Sequence, residues 1–333
     1  MSFLKLEEHE GITTVSRARA SNIATIIVDS AHSLITGDTV TISGLGGTGY
    51  NDTDVTVTVT NSVTFTYANT GSNEGTTGDT AGLVFFNFTL PYNPNTIEFV
   101  TTKFVEQIDY PYAFAHLGFT SPIKSSITAV LNGHFDSTNK NLHFRSLVRK
   151  VNNPIMLKLF FENSHDKYYL VTGSNVQKVP TGTRPLHLDY VASFFSPFGI
   201  LFDATQKSGL EGASDENEGD IITPIEKITG SVSNGVAVTI KDKNNNGFTF
   251  TPDATGTMVY EIIKIVTEDN TVYLTEYAYV TIGANVQIIK NASTSGDLYL
   301  KLNPAESLND IFTGGTVSGI TPTFYFRDGW ASD

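Results

Sequence analysis

The chain contains no cysteine. Disulfide scaffolds, thiolate catalysis and cysteine-ligated zinc are therefore excluded. Charge is also scarce: Asp, Glu, Lys and Arg make up 17% of the 333 residues, against about 25% in an average soluble protein. The positive sign is the scarcer one, with 21 Lys and Arg against 34 Asp and Glu, a formal net charge of −13. An acidic surface repels phosphate backbones, which argues against nucleic-acid binding through counterion release. Long apolar runs are missing as well. The longest, Tyr190 to Phe202, is broken by Ser196 and Pro197 and falls short of the ~20 residues that cross a bilayer. The opening MSFLKLEEHEG carries acid where a leader would carry base, so the expectation is a soluble cytoplasmic product without membrane insertion.

Thr, Ser, Asn and Gly take the place of charge. Thr suits a pleated, half-exposed surface, and Asn and Gly supply turns. The mixture predicts an all-β protein. In residues 14–85 the runs Ile23–Val28 and Leu34–Ile42, the latter around a Gly37-Asp38 turn, are strand-like. Asp54 to Thr60 and Val63 to Tyr67 alternate strictly around an Asn61-Ser62 turn. Short strands at regular spacing predict a small β-barrel or sandwich. Residues 86–205 are richer in Phe, Tyr and Leu, with strands at Ile97–Val100, Ser126–Leu131, Ile155–Phe161 and Tyr168–Val171. One helix is expected at 140–152, with Phe144, Leu147, Val148 and Val151 on one face and Pro154 behind its end. Gln206–Asp220 reads as an acidic linker. Beyond it, strand runs from Ser231 to Leu302 with turns at Asn244–Gly247 and Asp269-Asn270 predict a β-sandwich.

Candidate chemistry is sparse. Asp242 to Asp253 has calcium-loop spacing, but Asp stands where a bidentate Glu is needed, and a polar hairpin tip explains the same residues. Ser164-His165-Asp166 supplies the residue types of a hydrolase triad, yet neighbours in extended chain point apart, so a loop is expected. Glu7-Glu8-His9-Glu10 gathers metal-ligand types without metal-site spacing and reads as a solvated segment. Gly44 to Gly49 lacks the Lys-Ser/Thr of a phosphate loop and reads as a turn. Lys140, Arg145, Arg149 and Lys150 give the helix a positive excess. It is either a solvated face or a surface that pairs with an acidic neighbouring subunit. No catalytic, cofactor or metal residues are assigned, and the chain is expected not to be an enzyme. A depolymerase is the enzymatic alternative.

The middle segment resembles the distal tail protein of long-tailed, non-contractile phages. The resemblance rests on Phe88-Thr-Leu-Pro-Tyr92, Ser126 to Phe135, the helix at 140–152, the strands Leu157–Phe161 and Tyr168–Val171, and Leu188 to Gly199, in that order. Glu218 to Gly230 resembles the entry to that family's galectin-like sandwich, and Phe324 to Trp330 its last strand. The early block, with His32, Leu34 to Gly44, Tyr50-Asn51 and Thr64 to Tyr67, resembles a small β-module inserted in many phage structural proteins.

The resemblance implies four parts. These are an inserted β-domain at 14–85, a split-barrel-like ring domain from 1–13 and 86–205, a linker at 206–220, and a galectin-like β-sandwich at 221–333. It further implies a homohexameric ring at the virion tail tip, assembled in the host cytoplasm. Such a ring joins the tail-tube protein to the tip or hub protein and carries receptor-binding protein. Contact with host saccharide would draw on aromatic residues such as Tyr273, Tyr277, Tyr279, Tyr299 and Trp330. A carbohydrate-binding tail protein and the tail-tube protein itself are the alternative readings.

Overall fold

A computed structural model describes residues 4–9, 11–90, 94–103, 105–108, 116–119, 125–136, 138–152, 157–161, 165–180, 187–196, 199–266, 271–283, 285–290 and 300–331. Among the described residues the protein is all-β with two short helices. The chain divides into two compact units. The first comprises Met1–Glu98, Ala129–His165 and Val171–Phe195, and the second Phe99–Thr128, Asp166–Leu170 and Ser196–Asp333.

The first unit opens with β1 (Lys5–Glu8), β2 (Ile12–Ala20), β3 (Ile23–Val28), β4 (Thr39–Ser43), β5 (Asp52–Asn61), β6 (Thr64–Ala68), β7 (Glu74–Gly78) and β8 (Leu83–Thr89). Following the antiparallel pairings from β2 through β3, β6, β5, β4 and β8 leads back to β2, where Ile12 faces Val84. This is a closed six-stranded barrel, and closure removes the sheet edges that would otherwise pair with other chains. The alternation legible in the sequence sets its inside. Ala24, Ile26 and Val28 of β3, Val40 and Ile42 of β4, Val57 of β5, Phe65 and Tyr67 of β6, and Val84 and Phe86 of β8 form one buried cluster. Fully burying a Val, Ile or Phe side chain contributes about 1.5–3 kcal/mol.

Beyond the stretch paired with β2, the same edge of β8 accepts β1, with Leu6 opposite Phe88, and β1 pairs in turn with β13 (below). The chain thus leaves β1, builds the barrel and returns beside its starting point. The continuation runs through β9 (Thr96–Lys103), β10 (Val105–Ile108), β11 (His116–Phe119), β12 (Ser125–Asp136), α1 (Lys140–Asn152), β13 (Leu157–Phe160), β14 (Lys167–Val179) and β15 (His187–Ser196). In the first unit the strand order beyond the barrel is β8-β1-β13-β14-β15-β12.

Helix α1 ends at Asn152, two residues before Pro154; residues 153–156 lie outside the described residues. Its buried residues are Ser146, Leu147, Lys150 and Val151. The expected apolar stripe is therefore only half used: Phe144 and Val148 sit at the margin, and a lysine takes a core position. A Cβ at Gly173 of β14 would lie 2.0 Å from the Val151 carbonyl oxygen, so only glycine lets the strand pass this close to the helix end.

The second unit continues with β16 (Leu201–Asp203), β17 (Lys207–Leu210), β18 (Thr223–Val232), β19 (Val238–Lys241), β20 (Gly247–Phe250), β21 (Gly256–Val266), β22 (Thr271–Ile282), β23 (Asn285–Lys290), β24 (Lys301–Leu302), α2 (Leu308–Phe312), β25 (Thr316–Ser318), β26 (Thr323–Phe326) and β27 (Gly329–Trp330). One antiparallel sheet runs β17-β26-β18-β21-β22-β23 with β24 beside β18; a second is β20-β19-β25. Phe248 of β20 stacks on Tyr260 of β21 with ring centroids 4.7 Å apart, and Phe312 of α2 stacks on Phe324 of β26 at 4.6 Å.

Two expectations change here. The Gln206–Asp220 segment, read as a linker, contains β17, whose Lys207–Leu210 pairs with Phe326–Thr323. Asn217 in the same segment is fully buried and donates to the carbonyls of Ile221 and Leu302. Folding supplies backbone partners for a buried polar side chain that composition alone reads as part of a linker. Phe324–Trp330, read as one last strand, splits into β26 in the sheet interior and β27, which pairs with β16. The Asp269-Asn270 turn lies outside the described residues.

Gly173→Ala should destabilise the protein by about 3 kcal/mol, as forced overpacking against rigid backbone does. Urea unfolding checks this, and an unchanged midpoint would show that α1 does not rest on β14 as described.

Candidate functional site: the seat of the helix on the first unit

Glu7-Glu8-His9-Glu10 does not form a solvated segment. Three of its residues are described; Glu10 is not. Glu7 and Glu8 belong to β1, held between two strands, and alternation sends them to opposite faces. Glu7 meets Lys5 at 3.1 Å and Lys158 at 3.2 Å. Glu8 shares its face with Leu4 and Leu6, which are fully buried. Its Oε1 accepts from Lys150 Nζ at 2.9 Å, and its Oε2 accepts from the Phe86 N–H at 3.1 Å. Sequence reasoning missed this because a charged tetrapeptide looks solvated until a cation 142 residues away in the chain is brought against it.

The basic residues of α1 divide accordingly. Lys150 has a side chain 1% exposed. Its ammonium lies 3.4 Å from the centroid of the Phe86 ring, an attractive arrangement when water is excluded. Burial pulls the Lys150 amine down to about 8, against the opposing pull of Glu8. Arg149 donates from Nη2 to both Asp38 oxygens, at 2.9 and 3.0 Å, and from Nη1 to the Ser33 carbonyl at 3.1 Å. Asp38 also caps its own turn by accepting from the Ile35 N–H at 2.9 Å. The helix cations read as available to a neighbour are thus half consumed inside the unit. Arg145 remains exposed.

Beside these pairs lies a cleft of about 320 Å³, with Ile35, Asp38 and Asp54 on the barrel side and Leu142, His143 and Ser146 on the helix. Ile35 and Leu142 expose large apolar surface at its walls. Burial lowers the His143 pKa below its ordinary value, so the ring stands neutral near pH 7. Asn87 is fully buried at the cleft floor and donates to Thr41 Oγ1 at 2.6 Å and Asp54 Oδ1 at 2.9 Å. Asp54 takes up a left-handed backbone conformation, φ 54°.

The glycine-rich stretch Gly44–Gly49 is a loop, as expected, and it lies over an ionic lock. Arg17 pairs with Glu74 and with Asp79, whose Oδ2 is 2.9 Å from Nε. The Gly46 N–H donates to the same oxygen at 2.8 Å. Arg17 and Arg19 both stack on the buried Tyr50 ring, at 4.7 and 4.1 Å. A Cβ at Gly47 would meet the Arg17 guanidinium and lie 2.7 Å from the Tyr50 ring, so any side chain there would have to displace both. The Gly46 N–H and the Arg17 guanidinium hold the Asp79 carboxyl below the usual carboxylate range.

The other candidates stay apart. Ser164 lies outside the described residues. His165, with φ 51°, packs edge-on to Phe160 at 5.7 Å, and the Asp166 carbonyl accepts from the Ala204 N–H. Asp242 accepts from the N–H groups of Asn244 and Asn246, each at 2.8 Å, and from Asn246 Nδ2, the bonding of a hairpin tip. Asp253 is exposed. Among the described residues no three His, Cys, Asp or Glu side chains gather as a metal site would require. Trp330 is half-buried: Nε1 donates to Asp203 at 3.3 Å and Lys167 Nζ lies 3.8 Å from the ring centroid. Burial raises the Asp203 pKa above the ordinary value. Tyr299 and the side chains of Tyr273, Tyr277 and Tyr279 lie outside the described residues.

Arg149→Met should cost about 2–3 kcal/mol by leaving Asp38 buried without its cation; Asp38→Asn in the same chain should return part of the loss. Denaturant midpoints of Arg149→Met, Asp38→Asn and the double variant check the coupling, and strictly additive losses would refute it.

A second expectation concerns acid. Unfolded, Asp79 takes its proton near 3.8; folded, it does so at lower pH. The stability it holds is fully present above the unfolded pKa and is lost as pH falls through the folded one. Asp79→Asn should therefore lag the parent most well above the unfolded pKa and converge on it as pH falls below that value, read from urea midpoints.

No protein family matches the sequence, and no curated protein does. Among solved structures the chain is similar to the SPP1 Dit (gp 19.1) protein, described as a paradigm of the hub adsorption apparatus in phages that infect Gram-positive bacteria. The TM-score is 0.37 and the identity 9%, over 71% of this chain and 92% of that one.

Proposed function

We propose that this chain is a structural component of a bacteriophage tail tip, assembling as a homohexameric ring between the tail tube and the tip. The observation that carries the reading is the order of parts along the chain. A strand near the start, β1, pairs with β8 and β13 on its two edges, and a whole barrel is looped out between β1 and β8. That is how a module sits when inserted into a host domain whose flanking strands lie side by side. The host domain then runs through β12, a single helix and β13 to β15, in the order of the distal tail family that residues 88–199 resemble. Two further β-sheets follow.

In this reading the ring is part of the virion, built in the host cytoplasm. The tail-tube protein, the hub protein and a receptor-binding protein are its partners. Arg145 is exposed on α1, and Leu142 is exposed at the cleft wall, where a neighbouring subunit can meet them. Contact with host saccharide has less support. The Trp330 ring already carries Lys167 against one face and spends its N–H on Asp203.

Light scattering at micromolar concentration should return a hexamer mass, and negative-stain images should show single closed rings. A strict monomer that also fails to enter tails would remove the reading; long stacked tubes would point to the tail-tube protein instead.

A further inference from the structure

A lysine and a glutamate in a dry site, in contact and with a hydrogen-bond donor behind the carboxyl, hold the components of an amide-forming reaction. We propose that Lys150 and Glu8 condense after folding into an intramolecular amide, which covalently fastens α1 to β1. The inference stands independently of tail assembly.

Lys150 Nζ lies 2.9 Å from Glu8 Oε1, and the two side chains are 1% and 8% exposed. On the other side of the carboxyl the Phe86 N–H donates to Oε2 at 3.1 Å. The Phe86 ring closes the lysine end, and Leu6, fully buried, lies two residues before Glu8 on the same strand face. Removing an ion pair from water weakens its preference for the charged form over the neutral amine and acid. The lowered affinity of Lys150 for its proton is the same effect.

The chemistry balances without a co-reactant. A proton passes from Nζ to Oε1 along their hydrogen bond, giving amine and carboxylic acid. The Nζ lone pair attacks Glu8 Cδ, and charge develops on Oε2, where the backbone donor stands ready. The C–Oε1 bond then breaks, and Oε1 leaves as water with a second proton from Nζ. One C–N bond is formed, one C–O bond is broken, and one water is released. The product removes two buried charges and closes a loop that contains the entire barrel.

Other ion pairs in the chain supply a contrast. Lys207 contacts Asp328 at 2.9 Å and Glu218 at 3.1 Å, but it is 24% exposed. Its carboxylate neighbours hold it more firmly as ammonium despite partial burial. Lys243, 39% exposed, pairs with Glu306 at 2.6 Å and is likewise held protonated. Lys5 and Lys158 contact Glu7 at 3.1 and 3.2 Å, with the lysine side chains 11% and 16% exposed and Glu7 14%. Contact alone predicts condensation at all five of these lysines, whereas Lys150–Glu8 is the pair among them with both side chains under 10% exposed.

The test is the intact mass of the full chain after folding and incubation near pH 8, followed by peptide mapping. The expected result is a mass lower than the sequence mass by one water, and a branched peptide joining the Glu8 segment to the Lys150 segment. Lys150→Arg, which keeps a cation but offers no neutral amine, should show the full sequence mass; circular dichroism reports whether it folds. A folded parent chain that keeps its full mass would overturn the proposal. Water loss mapped to Lys207 or Lys243, or retained in Lys150→Arg, would overturn it equally.

Discussion

Strand β8 is hydrogen-bonded along both edges, to β4 on one side and to β1 and β2 on the other. The first unit depends on that sharing. The pairing with β4 and β2 closes the barrel, and the pairing with β1 carries its hydrogen bonding on into β13, β14, β15 and β12. Register matters because a strand slipped by one residue turns every side chain to the other face. In the observed register Val84 and Phe86 fill the barrel, and the Phe86 N–H meets Glu8. The same residue therefore serves the barrel core, the strand pairing and the helix seat.

The helix seat trades hydrophobic burial for ionic specificity. An apolar residue at position 150 would pack without desolvating a charge, and buried pairs are often no more stabilising than well-packed apolar replacements. What the Lys150–Glu8 and Arg149–Asp38 pairs add is direction. Each cation has a carboxylate on a different element, β1 and the turn before β4, so α1 can settle in one rotation only. The marginal burial of Phe144 and Val148 follows from that rotation. Inside the barrel Arg17 plays a comparable part, tying the glycine-rich loop and the β7 edge to β2 through Asp79 and Glu74.

Much of the fold was legible in local pattern. The strict Thr-Val alternation of residues 54–60 reappears as Val55, Val57 and Val59 turned inward on β5, and the helix at 140–152 keeps its bounds. The Asn244–Gly247 turn reappears between β19 and β20, where Asn245 and Gly247 take positive φ. These features depend on neighbours in sequence, where backbone sterics and period-two burial act directly. The acidic segment 206–220 failed as a linker because its strand pairs with residues more than a hundred positions later, and no local signal carries that information.

Composition and spacing by themselves determined an all-β, cysteine-free, acidic chain with one principal helix and an early β-rich module. They did so because strand periodicity and turn chemistry are properties of short stretches. Only the tertiary structure decided that the module is a closed barrel looped out between β1 and β8, and that Glu8 and Lys150 are partners rather than solvated charges. Closure and pairing join residues far apart in the chain. Whether a charge is exposed or buried is set by what folds over it, not by the residues beside it.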